Sequence, residues 1–259
     1  MHHILDAAVF AFVLLLGMLL FLEVGRRLGV RKLREDPEGA RSGTGAIEGA
    51  VFALLGLLIA FTFSGAASRF DQRRDLVVEE ANDIGTAWLR LDLLPAKAQP
   101  ALRDAFRQYV DARIATYRRI PDVKAVQAET ARAARLQQVI WAKSVAAAGT
   151  AGAAPGAPML LLPALNAMID ITTTRTMTTE LHPPVVIFGM LFVLALVSAL
   201  LAGYAMAGGR SRHWLHAFGF AAIAALAVYV ILDIEFPRLG LIRVDAFDHA
   251  LRELRNSMR

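Results

Sequence analysis

Four long stretches without a formal charge, at 7–22, 49–68, 183–209 and 217–232, constrain this chain more than anything else in it. A helix needs about 20 predominantly apolar residues to cross the hydrocarbon of a bilayer. The stretches therefore predict four membrane spans, in keeping with a hydrophobic content of 56%. No segment alternates apolar and polar residues in the way a half-buried strand requires. The expected fold class is all-α: a four-transmembrane-helix protein with an extramembrane helical bundle between spans two and three. The predicted organisation is span one over 1–24, a basic loop over 25–46, span two over 47–68, an extramembrane helical domain over 69–182, span three over 183–209, span four over 210–232 and a C-terminal tail over 233–259. The first residues lack a basic leader and no small-residue cleavage site follows, so the first stretch reads as a retained span and not a signal peptide.

Charge and motif content narrow the function classes. The net charge is +5 and the pI about 10, but the basic residues are spread over separate segments instead of forming one stripe, so no nucleic-acid partner is expected. The absence of cysteine removes disulfides, thiolate nucleophiles and Cys-ligated zinc together. The run Gly43, Gly45, Gly49 is a near miss for a dinucleotide loop, with the third glycine late and no strand before it. His213 and His216 share a helical spacing that could hold a metal, but they lie beside arginines at a predicted membrane interface and read as surface residues. The expectation is no catalytic residue, no metal, no cofactor and no enzyme activity. No charge falls in mid-span, which argues against a proton-relay pump.

Between the spans, local signals set the helices. Arg26 and Arg27 follow Glu23 at helical spacing, and Pro37, Gly39, Gly43 and Gly45 mark a turn-rich connection. Span two shows no breaker on leaving the apolar region. Phe70, Val77, Ala81, Ile84, Trp88 and Leu91 continue it at heptad-like spacing, predicting one helix of about 45 residues that ends before Pro95. Further helices are expected at about 100–119, 122–146 and 160–181, with a flexible linker over 147–158. The threonines from Thr172 to Thr179 read as a solvated or packed helix face. A tight turn at 208–213 precedes Trp214, an interfacial anchor, and Val244, Phe247, Leu251, Leu254 and Met258 share one face of the tail.

Span two also carries the candidate site. Gly49, Ala53, Gly56, Ala60, Ser64 and Ala67 recur at spacings of three and four, a continuous strip of small residues, with Phe52, Leu55, Ile59 and Phe63 mostly opposite. Such a strip lets helix backbones approach closely in lipid; it can equally wall a pore when several copies surround an axis. Leu57 lies beside it. Acidic residues gather at the span ends, Glu48 at one and Asp233 and Glu235 at the other. They read either as pore-mouth charges that attract cations or as surface partners of nearby arginines.

Residues 45–50 leading into Ala53-Leu54-Leu55-Gly56-Leu57, then Ala66-Ala67-Ser68-Arg69-Phe70, residues 79–87 beginning Glu79-Glu80-Ala81, and Asp233-Ile234-Glu235-Phe236-Pro237-Arg238-Leu239-Gly240 resemble the bacterial bestrophin-like membrane proteins over most of the chain. The likeness to true bestrophins is more distant and rests on span two and on the plan of two spans, a helical domain and two more spans. It implies a ring-shaped, pentameric ion channel whose second span lines the pore. In that family a glycine in the neck is flanked by bulky apolar residues; with Gly56 as that glycine, the matching positions are Gly49, Ala53 and Leu57, two of them small. The acidic cluster of calcium-activated bestrophins is matched only by Asp233 and Glu235, so calcium regulation is not implied.

Two functions follow from these readings. One is a homo-oligomeric channel for inorganic ions, embedded in the lipid bilayer, with span two near the pore. The other is a non-conducting scaffold or regulator whose helical domain binds a protein partner. Localisation in the bacterial cytoplasmic (inner) membrane is implied by the resemblance. Lys and Arg in the short loops favour those loops as the cytoplasmic side, whereas the bestrophin plan puts the helical domain in the cytoplasm, and the plan is followed here.

Overall fold

A computed structural model of the chain describes residues 2–35, 45–208, 214–238, 240–244 and 248–259. Its α-helices are α1 His2–Glu35, α2 Gly45–Leu89, α3 Gln99–Arg118, α4 Val123–Ala148, α5 Ala157–Glu180, α6 Val185–Ala205, α7 Trp214–Glu235 and α8 His249–Ser257. No strand occurs among the described residues. The chain divides into two compact units, Met1–Ser68 with His182–Ile242, and Arg69–Leu181 with Arg243–Arg259. Helix α2 is continuous through the boundary, and its length is the one its uninterrupted pattern predicts.

The first unit holds the apolar helices. Among the described residues, four helical segments are long and apolar enough to cross a membrane. Leu14, Met18 and Leu22 of α1 pack with Leu191, Ala195 and Ala199 of α6 and Ala221, Ala224 and Val228 of α7. Helix α1 departs from expectation by continuing through the predicted loop as far as Glu35. Glu23 pairs with Arg27 at 2.9 Å one turn on, and Lys32 and Arg34 sit in the last turn, where cations favour a helix end. No proline interrupts this segment before Pro37. The tight turn at 209–213, including His213, lies outside the described residues.

The second unit is a helical bundle. Val77, Ile84, Trp88 and Leu91 of the predicted seam are buried, and Phe70 is half-buried. The core they enter contains Leu102, Phe106, Tyr109 and Val110 of α3, Ile140 of α4 and Leu161, Leu165 and Met168 of α5. Asp122 caps α4 by accepting a hydrogen bond from the Ala125 N–H. The segment expected as a flexible linker is instead a hydrogen-bonded turn: Ala154 N–H donates to the Leu93 carbonyl at 2.8 Å, and Gly156 adopts a positive φ of 82° to start α5. The tail is no separate segment either. Leu251 and Met258 enter the bundle core and Leu254 packs against it. Phe247 lies outside the described residues.

At the centre of this unit Glu80 is fully buried between Arg113 of α3 and Arg175 of α5, both paired to its carboxylate. Arg113 also donates to the Tyr117 hydroxyl at 2.6 Å, and the Arg175 guanidinium lies over the Tyr117 ring at 4.1 Å. Burial pushes the Glu80 carboxyl up, but the two guanidinium groups outweigh it and hold the carboxyl below its ordinary value. Arg73 is buried too, donating to the carbonyls of Thr178 and Leu181. Arg73 and Arg175 are thus both engaged inside the bundle. On α5, Thr172, Thr174, Thr176, Thr178 and Thr179 each donate to a carbonyl three or four residues back.

Candidate functional site

The strip on α2 is open along almost its whole length. Gly49, Ala53, Gly56, Leu57, Ala60 and Ser64 are exposed within the chain, and Ala67 is half-buried. A Cβ built on Gly49 or Gly56 would meet no atom within 4 Å. The opposite side is the packed one: Leu55 is buried, Leu58 and Ile59 lie against the apolar core, and Phe52 meets Phe220 of α7 edge-on at 6.1 Å. Phe63, expected with that packed side, is instead exposed. Among the described residues, none packs against the strip at Gly49 or Gly56. Glu48 lies in the first turn of α2, where a carboxylate complements the helix dipole.

Close backbone packing occurs elsewhere, in α1 and α6. A Cβ added at Gly25 would overlap the Leu200 carbonyl, and one at Gly203 would overlap the Leu22 carbonyl. At Gly29 it would come within 2.6 Å of Ala207 Cβ. Ala195, Ser198, Ala199 and Gly203 are buried along the matching side of α6. These residues were legible as a small-residue row, since Ala195, Ala199, Gly203 and Ala207 recur every four positions. The glycine at 25 carried no such signal, because it falls in a segment whose composition reads as loop.

Asp233 and Glu235 are not exposed within the chain. Both are buried in the last turn of α7. The Asp233 carboxylate accepts hydrogen bonds from the N–H groups of Leu241 at 2.9 Å and Ile242 at 2.8 Å. Gly240 lies against it so closely that a Cβ there would overlap the carboxylate. Glu235 sits 3.0 Å from Nδ1 of His182, whose ring lies against Phe236 with centroids 4.7 Å apart. The two acids thus organise the chain as it leaves α7, and within the chain they are buried where the sequence readings expected a surface. Buried carboxylates persist only where donors replace water, and backbone N–H groups do so for Asp233.

The exposed faces of the other apolar helices are bulkier than the strip, as are Leu54, Leu57, Phe61 and Phe63 of α2 itself. α1 exposes Phe12, Leu16 and Leu20, α6 exposes Val185, Val186 and Val193, and α7 exposes Leu215, Phe218 and Ile223. These are bulky residues suited to lipid tails. In α2 the apolar stretch is only 11% buried, against 22% to 33% for the other three. It is the span least enclosed by its own chain.

Residues 11–246 match the Bestrophin-like domain. No curated protein matches the chain. Among solved structures, a bacterial bestrophin homologue from Klebsiella pneumoniae, crystallised with a tyrosine-to-alanine mutation, is similar at a TM-score of 0.65 and 15% identity, covering 93% of this chain and 97% of that one. A second crystal structure, of a membrane protein with a proline-to-alanine substitution, is similar at a TM-score of 0.63 and 14% identity, covering 94% and 98%. With four membrane-competent helical segments and a family match across nearly its whole length, the chain belongs to the Bestrophin-like family of multi-pass membrane proteins.

Proposed function

We propose that this protein is the subunit of a homo-oligomeric ion channel in which the open strip of α2 faces the conduction path. The observation that carries the reading is the exposure of that strip. Gly49, Ala53, Gly56, Ala60 and Ser64 form a small, uncharged surface that nothing among the described residues covers. A helix so poorly enclosed in its own subunit needs further neighbours, and copies of the same chain around an axis supply them. The family plan makes that ring a pentamer. Leu57, exposed beside the strip, is the bulkiest of the candidate wall residues and sets the narrowest point, while Ala53 and Gly49 leave the opening wider than a bulky neck would. Asp233 and Glu235, being buried, are not assigned to the path.

The protein resides in the bacterial cytoplasmic membrane with its helical bundle inside. A cysteine at exposed Ala151 should then resist an impermeant thiol reagent on whole cells. Conduction is tested in planar bilayers. Cysteines at Ala53 and Ala60 should react with a small charged thiol reagent and alter the current, and one at buried Leu55 should not. Absence of current from assembled wild-type protein across salts, pH values and voltages overturns the channel reading and favours the scaffold.

A further inference from the structure

The second unit carries a feature that ion conduction does not use. Between α3 and α8 lies an open groove of about 710 Å³, whose wall includes Arg118, Arg119, Arg252, Arg255, Asp111 and Ile114. Four guanidinium groups share it with one carboxylate. That carboxylate is already committed: Arg255 donates to Asp111 from Nε at 2.8 Å and from Nη2 at 3.1 Å. Arg252 donates to the Asp248 carbonyl at 3.4 Å, an uncharged acceptor. Among the described residues, neither Arg118 nor Arg119 has an ion-pair partner.

We infer that this groove binds a small ligand bearing at least two phosphate groups. Guanidinium forks match phosphate oxygens in paired hydrogen bonds, and the pairing is stronger than between neutral groups. The bidentate Asp111 contact holds Arg255 in a set orientation, so part of the ordering that binding requires is already in place. Arg118, Arg119 and Arg252 remain as excess positive charge. One phosphate carries about −1.5 to −2 at neutral pH, which leaves that excess partly unmatched, whereas two neutralise it. The volume falls within the roughly 300–1,000 Å³ of small-molecule sites, and Ile114 adds an apolar wall. Because Arg118 and Arg119 lie at the end of α3 while Arg252 and Arg255 lie on α8, a ligand in the groove ties the C-terminal helix to the bundle.

Such phosphates come either from a soluble polyphosphate or from lipid headgroups. The test uses the full-length protein in detergent. Isothermal titration with pyrophosphate and with ATP is run beside titration with mixed micelles containing cardiolipin. The double variant Arg118→Ala/Arg119→Ala changes two exposed side chains, and its elution volume and helical content confirm that it folds. Lys97→Ala/Lys124→Ala, also exposed, controls for general loss of charge. We expect saturable binding of one pyrophosphate or ATP per chain, weakened at least tenfold in the arginine double variant and in Arg252→Ala and unchanged in the lysine control. Arginine-dependent binding of cardiolipin alone supports the same phosphate site with a lipid source. Absence of binding by all three probes, or equal binding by wild type and the arginine double variant, overturns the inference.

Discussion

The α1–α6 contact and the outward strip of α2 are built from the same small residue types at the same helical spacings, yet they meet opposite surroundings. Gly25 and Gly203 are pressed against carbonyl groups of the facing helix, with no room for a methyl group. Gly49 and Gly56 have nothing within 4 Å of where a Cβ would stand. Small-residue spacing marks a helix side that can accept a close neighbour; it does not say whether that neighbour belongs to the same chain. In this protein one row is filled by the chain itself and the other is covered by none of the described residues.

The largest effect should come from the filled row. Gly203→Ala places a methyl group on the Leu22 carbonyl, and backbone cannot yield as a flexible side chain does. We expect a loss of more than about 3 kcal/mol, seen as failure to recover monodisperse protein or as early thermal unfolding. Gly56→Ala should leave subunit folding unchanged. Equal damage from the two substitutions would break the comparison.

Glu80→Ala tests whether the second half of the same α2 helix is held by different means. It leaves Arg113 and Arg175 buried without their carboxylate and should cost about 3–5 kcal/mol, read by denaturant unfolding. The pH dependence has a definite sign. The folded-state pKa of Glu80 lies below its unfolded value, so its stabilisation is present above the unfolded pKa, near 4.5, and is lost as pH falls through the lower folded value. Wild-type stability should therefore drop on acidification through that window, and the Glu80→Ala variant should show a smaller drop.

Gly56→Leu sharpens the open side. With no atom of the described residues near the site, the added side chain acts on what lies beyond them. Oligomer size in detergent should change while subunit stability shifts by less than about 1 kcal/mol. An unchanged oligomer would place Gly56 away from the subunit contacts, on a side that faces the conduction path or lipid. Ala53→Phe should lower conductance with assembly retained. Within the filled contact the smallest effect is expected at Gly17, where an added Cβ would lie 3.0 Å from the flexible end of Leu196. Gly17→Ala should alter unfolding by about 1 kcal/mol or less, because a rotamer change relieves the contact.

By itself the amino-acid sequence determined the helical class, the number of membrane-competent segments, the single long α2 and the seam from Val77 to Leu91. These follow from hydropathy and periodicity, which belong to residues near one another in the chain and act through a helix's own geometry. Tertiary structure decided which small-residue row was closed, because Gly25 and Gly203 define their contact only when helices far apart in the chain are brought together. It also decided the fate of the charges. Asp233 and Glu235, acids at the end of an apolar run, are buried because Leu241, Ile242 and His182 return to meet them. Glu80, Arg113 and Arg175 read separately as ordinary charges of a polar domain and become one buried cluster only when α2, α3 and α5 pack. A side chain's spacing sets the face of the helix it occupies, and only the partner that packs there sets whether that face meets protein, lipid or water.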